Sequence, residues 1–239
     1  MDNAGYVTLT RQSGLMREMQ LVANNIANLS TTGFRREGVV FAEHVKALEG
    51  RNPSLSMANA AGRLSSPMQG ALEGTGGPLD VAIEGEGFFM LETPEGERLT
   101  RAGAFRSNDA GELVNPDGFR VLDAGGAPIF VPPQARGIGI AADGTISADG
   151  APIAQLAVVR PLDPLTVTRA AGVLFATDSG VEPVEAPTVL QGHLEASNVE
   201  PVTEIARMIA VQRAYELGQS FLEREDERIR GVVQTLGSR

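Results

Sequence analysis

The sequence predicts a mainly β central domain, flanked by an N-terminal and a C-terminal α-helix that pair as a coiled coil. Near both ends of the chain, apolar residues recur at alternating spacings of three and four, which is typical of paired helices. Between these ends, short runs of alternating apolar and polar residues are separated by turn residues at intervals of roughly eight to twelve. This pattern favours an all-β sandwich or barrel over a parallel sheet with crossover helices.

Composition and charge exclude several functional classes for this chain of 239 residues. A net charge of −10 disfavours binding to nucleic acid or to anionic lipid. Because the chain has no cysteine and only two histidines, thiolate chemistry, disulfides and histidine-rich metal sites are excluded. The first residues lack the basic start and apolar middle of a secretory signal peptide, so we expect no cleaved signal peptide and no export by the general secretory route.

The first element is a helix that we expect to run from Asn3 to Leu29. Its apolar stripe follows heptad spacing and consists of Leu15, Met19, Val22, Ile26 and Leu29. The other faces carry three asparagines, Asn24, Asn25 and Asn28. Asparagine is a poor helix former unless its amide has a partner. We therefore predict that these amides hydrogen-bond to neighbouring subunits, with a solvated helix face as the alternative.

A sharp turn ends this helix. The Ser-Thr-Thr run at residues 30–32 favours a stop, Gly33 is free to adopt a positive φ, and Phe34 is free to fold back onto the last helical turn. Helix and turn make up a first domain of residues 1–48. Residues 49–77 are interpreted as a linker or arm, because they contain too few large apolar groups to form a core.

The predicted β domain occupies residues 78–187. At its start Leu79, Val81 and Ile83 alternate with small or polar residues, and Asp-Gly turns recur further along. A domain of this length is able to bury an apolar core of its own.

The last predicted domain, residues 188–239, contains the second helix. Asn198 is the expected N-cap, and Pro201 lies in the first turn, where its missing N–H is tolerated. The apolar stripe, which Glu225 interrupts, includes Met208, Val211, Tyr215 and Leu222. Since both terminal stripes are apolar, we predict that the two helices meet as a hairpin with the β domain inserted between them.

Three short motifs invite an enzymatic interpretation, and each has a simpler explanation. The Asp-Ser-Gly triplet at residues 178–180 matches aspartic proteases, but that reaction needs a second such triplet, which the sequence lacks. Residues 143–150 place oxygen side chains like a calcium loop, yet Ala148 stands where the loop needs glycine. Residues 84–90 lack the third glycine of a dinucleotide fingerprint. We therefore expect no catalytic, cofactor or metal site.

Several stretches together resemble the axial proteins of the bacterial flagellum, which form its rod, hook and hook junction. They are ANNIANLSTTGFRRE from Ala23, GPLDVAIEGEGFFML from Gly77, LTRAGAFRSNDAGELVNPDGFRVL from Leu99 and LEASNVEPVTEIARMIAVQRAYE from Leu194. The resemblance implies the flagellar hook/rod type of fold, with terminal helices in an inner coiled-coil domain that lines a tube and a β domain outside it. It also implies a non-catalytic structural subunit that is exported unfolded through the flagellar type III apparatus.

The short chain with one β domain looks most like a proximal rod protein, and a distal rod protein or another axial subunit is the alternative. A secreted β-rich binding module is a less favoured hypothesis. The resemblance implies a location in the basal body, partners among other rod subunits and copies of the same chain, and no nucleic acid or small-molecule substrate. The expected subunit-interface and turn residues are Leu15, Met19, Val22, Asn24, Asn25, Ile26, Asn28, Gly33, Phe34, Asn198, Met208, Val211, Arg213, Tyr215 and Leu222.

Overall fold

A computed structural model describes residues 2–46 and 55–237 of the chain. Two long helices, α1 (Asp2–Ala27) and α2 (Pro201–Gly237), lie near the two ends of the sequence. The chain divides into two compact units. The helical unit comprises Met1–Ala27, Glu37–Leu64 and Glu200–Arg239, and the β unit comprises Asn28–Arg36 and Ser65–Val199.

Most strands are short, in keeping with the spacing of the turn residues. In chain order they are β1 (Glu37–Lys46), β2 (Leu55–Ser65), β3 (Leu72–Gly74), β4 (Val81–Glu84), β5 (Phe88–Thr93), β6 (Gly96–Thr100), β7 (Arg106–Ser107), β8 (Leu113–Val114), β9 (Arg120–Val121), β10 (Ile138–Ile140), β11 (Thr145–Ala148), β12 (Ala151–Gln155), β13 (Val158–Pro161), β14 (Thr168–Ala171), β15 (Leu174–Ala176), β16 (Val181–Pro183), β17 (Thr188–Gln191) and β18 (His193–Glu195). A single turn of 3-10 helix, Pro164–Thr166, lies between β13 and β14.

In the helical unit, α1 and α2 run antiparallel and pack along each other. The direction follows from three polar contacts, which join Gln12 Nε2 to the Tyr215 carbonyl oxygen (2.8 Å), Glu18 Oε1 to Arg207 Nη2 (2.8 Å) and Asn25 Nδ2 to Glu204 Oε2 (3.2 Å). Both predicted helices are confirmed, although α1 ends at Ala27 rather than at Leu29. Within the described ranges, neither helix carries an apolar stretch able to span a membrane.

Strands β1 and β2 form a two-stranded sheet in the helical unit. β2 lies within residues 49–77, for which the sequence indicated a linker or arm. Its small and polar residues have little strand propensity, so the sequence gives no local signal for it. Pairing with β1 is possible all the same, because backbone hydrogen bonds between strands do not require large apolar side chains.

The β unit is built from antiparallel strand pairs. Its largest sheet has nine strands: β14-β15-β6-β5-β9-β8-β7 form a continuous path, and β13 pairs with both β5 and β16. The smaller sheets are β10-β11-β12, β4 with β17, and β3 with β18. The last two pairings join strands that are far apart in sequence, so the end of the unit is fastened to its beginning.

Strand β5 lies between two apolar layers. Phe89 and Leu91 belong to one buried cluster, whereas Met90, on the opposite face of the strand, belongs to a second. In the first cluster the Phe105 ring packs edge-on against Phe89, with ring centroids 5.3 Å apart. Because both faces of β5 are covered, its first four residues, 88–91, form a continuous apolar run rather than an alternating pattern. The predicted mainly β centre is thus confirmed.

Candidate assembly interface

The predicted interface residues of α1 and α2 differ in how deeply their side chains are buried within a single chain. The buried members are Val22, Asn25 and Val211. The half-buried members are Leu15, Met19, Ile26, Met208, Tyr215 and Leu222. The exposed members are Asn24 and Arg213. Contact between the two helices therefore leaves part of both predicted stripes accessible.

Helix α2 also exposes a long row of large apolar side chains, which we call the exposed α2 surface. Its members, each more than 40% exposed, are Val202, Ile205, Ile209, Leu217, Phe221, Ile229, Val232, Val233 and Leu236. Most follow one another at spacings of three, four or eight, so the row winds gradually around the helix, with Arg213 and Glu225 in its gaps. Extended exposed apolar surfaces of this kind commonly mark contacts with other proteins.

Asn25 is fully buried, and its amide is used within the chain. Its Oδ1 accepts from Glu37 N at 3.0 Å, and its Nδ2 donates to the Glu37 carbonyl oxygen at 2.8 Å. The amide thereby takes the place of a neighbouring strand at the first residue of β1. Nδ2 also donates to Glu204 Oε2 at the start of α2. This corrects the expectation that Asn25 offers its amide to a neighbouring subunit.

The segment that follows α1, residues 28–36, belongs to the β unit. Asn28 starts its turn: its carbonyl oxygen accepts from Thr31 N at 3.2 Å, and its Oδ1 accepts from Thr31 Oγ1 at 3.0 Å. Asn28, like Asn25, therefore has a partner within the chain.

At Gly33 the backbone of this segment lies close to the backbone of Arg101 and Ala102. The φ of Gly33 is +67°, as predicted, and its N–H donates to the Glu195 carbonyl oxygen at 2.7 Å. A Cβ at this position would meet the backbone of Arg101 and Ala102, and would lie 2.6 Å from the Arg101 carbonyl carbon. Glycine is therefore required twice, once for the backbone conformation and once for the contact.

Phe34 is buried beneath the guanidinium group of Arg169. Arg169 Cζ lies 4.3 Å from the Phe34 ring centroid and 4.9 Å from that of Phe175, so the cation is stacked between two rings. Arg169 also donates to the carbonyl oxygens of Arg35 and Gly172. Phe34 is thus held by a residue far along the chain, whereas the sequence indicated a contact with the last helical turn.

Glu195 is the centre of a buried ion cluster in the β unit. Its Oε1 lies 3.1 Å from Arg35 Nη2, and its Oε2 accepts from Arg101 Nε at 2.8 Å. The backbone N–H of Gly70 donates to Oε1 at 3.1 Å. Arg101 Nη1 donates in addition to the Gly87 carbonyl oxygen at 2.6 Å. The cluster therefore connects five separate places along the chain of the unit.

Burial lowers the pKa of both arginines in this cluster. The pKa of Arg35 falls to about 10, because desolvation outweighs the attraction of Glu195 and the positive charge of Arg101 lowers the value further. Desolvation also lowers the pKa of Arg101, against the opposing effect of Glu195. With two cations and one anion, the cluster depends on Glu195 as the shared counter-charge.

The sequence does not indicate these contacts. Arg35, Arg101 and Glu195 do lie inside the stretches that resemble the axial proteins, and this was the available signal. Arg169 lies outside them, and no local pattern marks it.

The structure does not support Asn198 as a helix cap. α2 begins at Pro201, as its first-turn position predicted, and Glu200 rather than Asn198 directly precedes it. The Asn198 side chain instead accepts from Arg36 N at 2.6 Å and donates to the Met68 carbonyl oxygen at 2.6 Å. Its amide thus joins two segments of the β unit.

The acidic residues of the calcium-like stretch, residues 143–150, accept hydrogen bonds that stabilise turns. Asp143 accepts from Thr145 N at 2.9 Å and from Thr145 Oγ1 at 3.0 Å, and these hydrogen bonds lower the pKa of Asp143. Asp149 Oδ1 accepts from the backbone N–H groups of Arg136 and Gly137, both at 3.0 Å. Over the residues that the structure describes, no group of three or more His, Asp or Glu side chains is placed to hold a metal ion.

The other two enzyme-like motifs also have structural partners. Ser179 Oγ, in the protease-like triplet, accepts from the backbone N–H of Asp163 at 3.1 Å. Gly85 and Gly87, in the dinucleotide-like stretch, present their carbonyl oxygens to the guanidinium group of Arg101. These contacts account for both motifs without catalysis.

Comparison with known proteins identifies the family. Three family models match the chain: "Flagella basal body rod protein" at residues 6–35, "Flagellar hook protein FlgE/F/G D1 domain" at residues 82–148, and "Flagellar basal body rod FlgEFG protein C-terminal" at residues 190–235.

Curated relatives are similar over nearly the whole chain. A flagellar basal-body rod protein FlgF of Caulobacter vibrioides is 40% identical over 99% of each chain. A FlgF protein of Mesorhizobium japonicum is 34% identical over all of each chain, and a FlgG rod protein of Agrobacterium fabrum is 32% identical over 92% of this chain and 94% of its own. The chain therefore belongs to the family of flagellar basal-body rod proteins, and it is more similar to these FlgF members than to the FlgG protein.

Proposed function

We propose that the chain is a structural subunit of the proximal rod of the flagellar basal body. The observation that carries this proposal is the similarity to FlgF rod proteins over essentially the full chain, at 34 to 40% identity. The distal rod is the alternative position, which the lower identity to FlgG proteins supports less well.

Assembly would proceed through the terminal helices. Packing of α2 against helices of neighbouring copies and of other rod subunits would cover the exposed α2 surface, and each large apolar side chain buried in this way contributes about 1.5–3 kcal/mol. The half-buried members of the predicted interface would complete these coiled-coil contacts. The resulting helical assembly would serve as the drive shaft for motility.

We further propose that the chain is not an enzyme and that the flagellar type III apparatus exports it. The structural roles of Asp143, Asp149 and Ser179 support the first statement. Membership of the rod family supports the second.

Location in the cell provides the first test. Basal bodies purified from the source cell should contain this chain, detected by mass spectrometry, and a deletion strain should stop assembly before the proximal rod is complete. Absence of the chain from basal bodies would contradict the proposal. A deletion strain that completes the proximal rod and then stops would favour the distal position.

Substitution of the exposed α2 surface provides a second test. Leu217→Glu places a charge on this surface, and we expect loss of motility with the chain absent from purified rods. Leu165 is the matched control, because it is 84% exposed in the β unit while Leu217 is 73% exposed on α2. Leu165→Glu should retain motility. Equal loss in both variants would show that α2 is not specifically required.

A further inference from the structure

The contact between Gln12 of α1 and Gly218 of α2 lies in the middle of the helical unit. Gln12 is 8% exposed, and its Nε2 donates to the Tyr215 carbonyl oxygen at 2.8 Å. A helical carbonyl such as that of Tyr215 ordinarily accepts from the N–H four residues later, so the glutamine occupies its second lone pair.

Gly218 provides the space for this amide. A Cβ at position 218 would lie 3.0 Å from Gln12 Cδ and nearer still to Nε2. Both of those atoms belong to a flexible side chain, so a methyl group here would displace the amide from the Tyr215 carbonyl rather than move a backbone. Gly231, on the same helix, has nothing within 4 Å of its own Cβ position. Glycine is a poor helix former, and at position 218 the Gln12 side chain explains its presence.

Gln12 lowers the stability of the folded chain. Over the described part of the chain, its buried Oε1 has no hydrogen-bond partner. A buried acceptor without a donor destabilises the folded state, and an apolar residue of the same length would avoid that penalty. Polar residues at otherwise apolar helix seams are best known for fixing register at the expense of stability.

Other registers would not accept this side chain. Within one heptad on either side of Gly218, α2 contains no second glycine, so a slipped helix would oppose the Gln12 amide with a position that carries a Cβ. A slip by three or four residues would bring Phe221 or Leu222 to the place of Gly218 in one direction, and Tyr215 or Ala214 in the other. The amide would then be buried against apolar groups with neither of its hydrogen-bonding ends satisfied.

We propose that Gln12 and Gly218 form a register lock, which selects a single antiparallel register between α1 and α2. This proposal goes beyond the rod function, because it concerns pairing inside one chain and holds whether or not the chain assembles. Gln12 acts as a positioning residue: it lowers the stability of the folded chain and restricts α1 and α2 to one alignment.

The test measures the register directly in the full-length chain. Because the sequence contains no cysteine, Gln20→Cys and Gln212→Cys provide two unique sites for spin labels on exposed positions of α1 and α2. The labelled protein is diluted with unlabelled protein, so that pulsed electron–electron double resonance reports only the distance between the two labels within one chain. We expect one narrow distance distribution.

Two variants should remove the selection without unfolding the protein. Gln12→Met keeps the length of the side chain but removes the amide, and Gly218→Ala displaces the amide. In each we expect a second distance, produced by a slip of about 5 Å along the helix axis, which is one helical turn. Gly231→Ala, the matched control, makes the same change in helix propensity and should keep the single distance. Gln12→Met should also melt at an equal or higher temperature, because it removes the unpaired acceptor.

Three results would overturn the proposal. The first is an unchanged single distance in both Gln12→Met and Gly218→Ala. The second is a new distance in Gly231→Ala as well, which would assign the effect to helix propensity. The third is a broad or multiple distribution in the protein with native Gln12 and Gly218. Since none of these readouts depends on basal-body assembly, failure of the rod proposal would leave them unaffected.

Discussion

The carboxylate of Glu195 accepts a hydrogen bond from Arg101 Nε at 2.8 Å, and each of these side chains is only 1% exposed. Arg35 approaches the other carboxylate oxygen at 3.1 Å. One buried anion is thus shared by two buried cations that lie far apart in the sequence. Because each arginine repels the other, the stability of the β unit depends on the charge of Glu195 more than on its size.

Glu195→Gln tests this dependence, since it keeps the size of the side chain and removes its charge. Two buried guanidinium groups would lose their counter-charge, so we expect the free energy of unfolding to fall by about 3–5 kcal/mol. Urea denaturation followed by circular dichroism measures the change. The control is Glu182→Gln in the solvent-exposed pair with Arg160, where the expected loss is at most about 1 kcal/mol. Similar losses in the two variants would contradict a special role for Glu195.

Gly33→Ala should destabilise the β unit more than Gly76→Ala. Both glycines have positive φ, +67° and +73°, so both substitutions carry a backbone penalty of about 1–2 kcal/mol. Only position 33 adds a collision with the backbone of Arg101 and Ala102, which we expect to contribute about 1–3 kcal/mol more. The difference between the two urea midpoints isolates the collision, and equal midpoints would show that the segment moves aside without strain.

Asn25→Asp should destabilise the helical unit. The new carboxylate oxygen would replace the Nδ2 donor opposite the Glu37 carbonyl oxygen and Glu204 Oε2, so acceptors would face acceptors in a buried place. We expect a loss of at least about 1–3 kcal/mol. Gln20→Glu, at an exposed position of α1, makes the same change from amide to carboxylate and should alter stability by no more than about 0.5 kcal/mol. Thermal melting of the helical signal distinguishes the two.

Asp143 should titrate below an ordinary aspartate, because Thr145 donates two hydrogen bonds to its carboxylate and lowers its pKa. A depressed carboxyl pKa adds stability above the pKa of the unfolded chain, and that stability is lost as the pH falls through the lower folded value. Thr145→Val removes the hydroxyl donor, so the pKa of Asp143 should rise towards its ordinary value. Carboxyl-carbon NMR titration measures the midpoint. Ser147→Ala, whose hydroxyl donates to the Gly139 carbonyl oxygen instead, should leave it unchanged.

The sequence predicts the elements whose signals are local. Heptad spacing predicts α1 and α2, and recurring turn residues predict the short strands of the centre, because each signal lies within a few consecutive residues. Strand β2 gives no such signal, since its small residues pair through their backbone with β1. The domain boundaries and the contribution of the interface residues to subunit contacts stay predictions.

Contacts between distant residues are the part that local patterns do not specify. Arg35, Arg101 and Glu195 meet only after three segments of the chain have folded together. Asn198 illustrates the same point. Its position before a helix predicted an N-cap, but its side-chain oxygen accepts a hydrogen bond from the backbone N–H of Arg36, which is distant in sequence. Gly33 was predicted correctly because its requirement for positive φ is local, and its close approach to Arg101 is not.

The first and last segments of the β unit lie side by side, joined by Gly33 N to the Glu195 carbonyl oxygen and by Asn198 N to the Phe34 carbonyl oxygen. A pulling force applied to these two ends would therefore act on this short pair of segments before it reached the strands beyond them. While the pair holds, tension would pass directly from one end to the other, and the strands that precede β18 would be largely spared it. In a rotating shaft, the β unit could then stay folded under mechanical loads that would otherwise peel its strands apart.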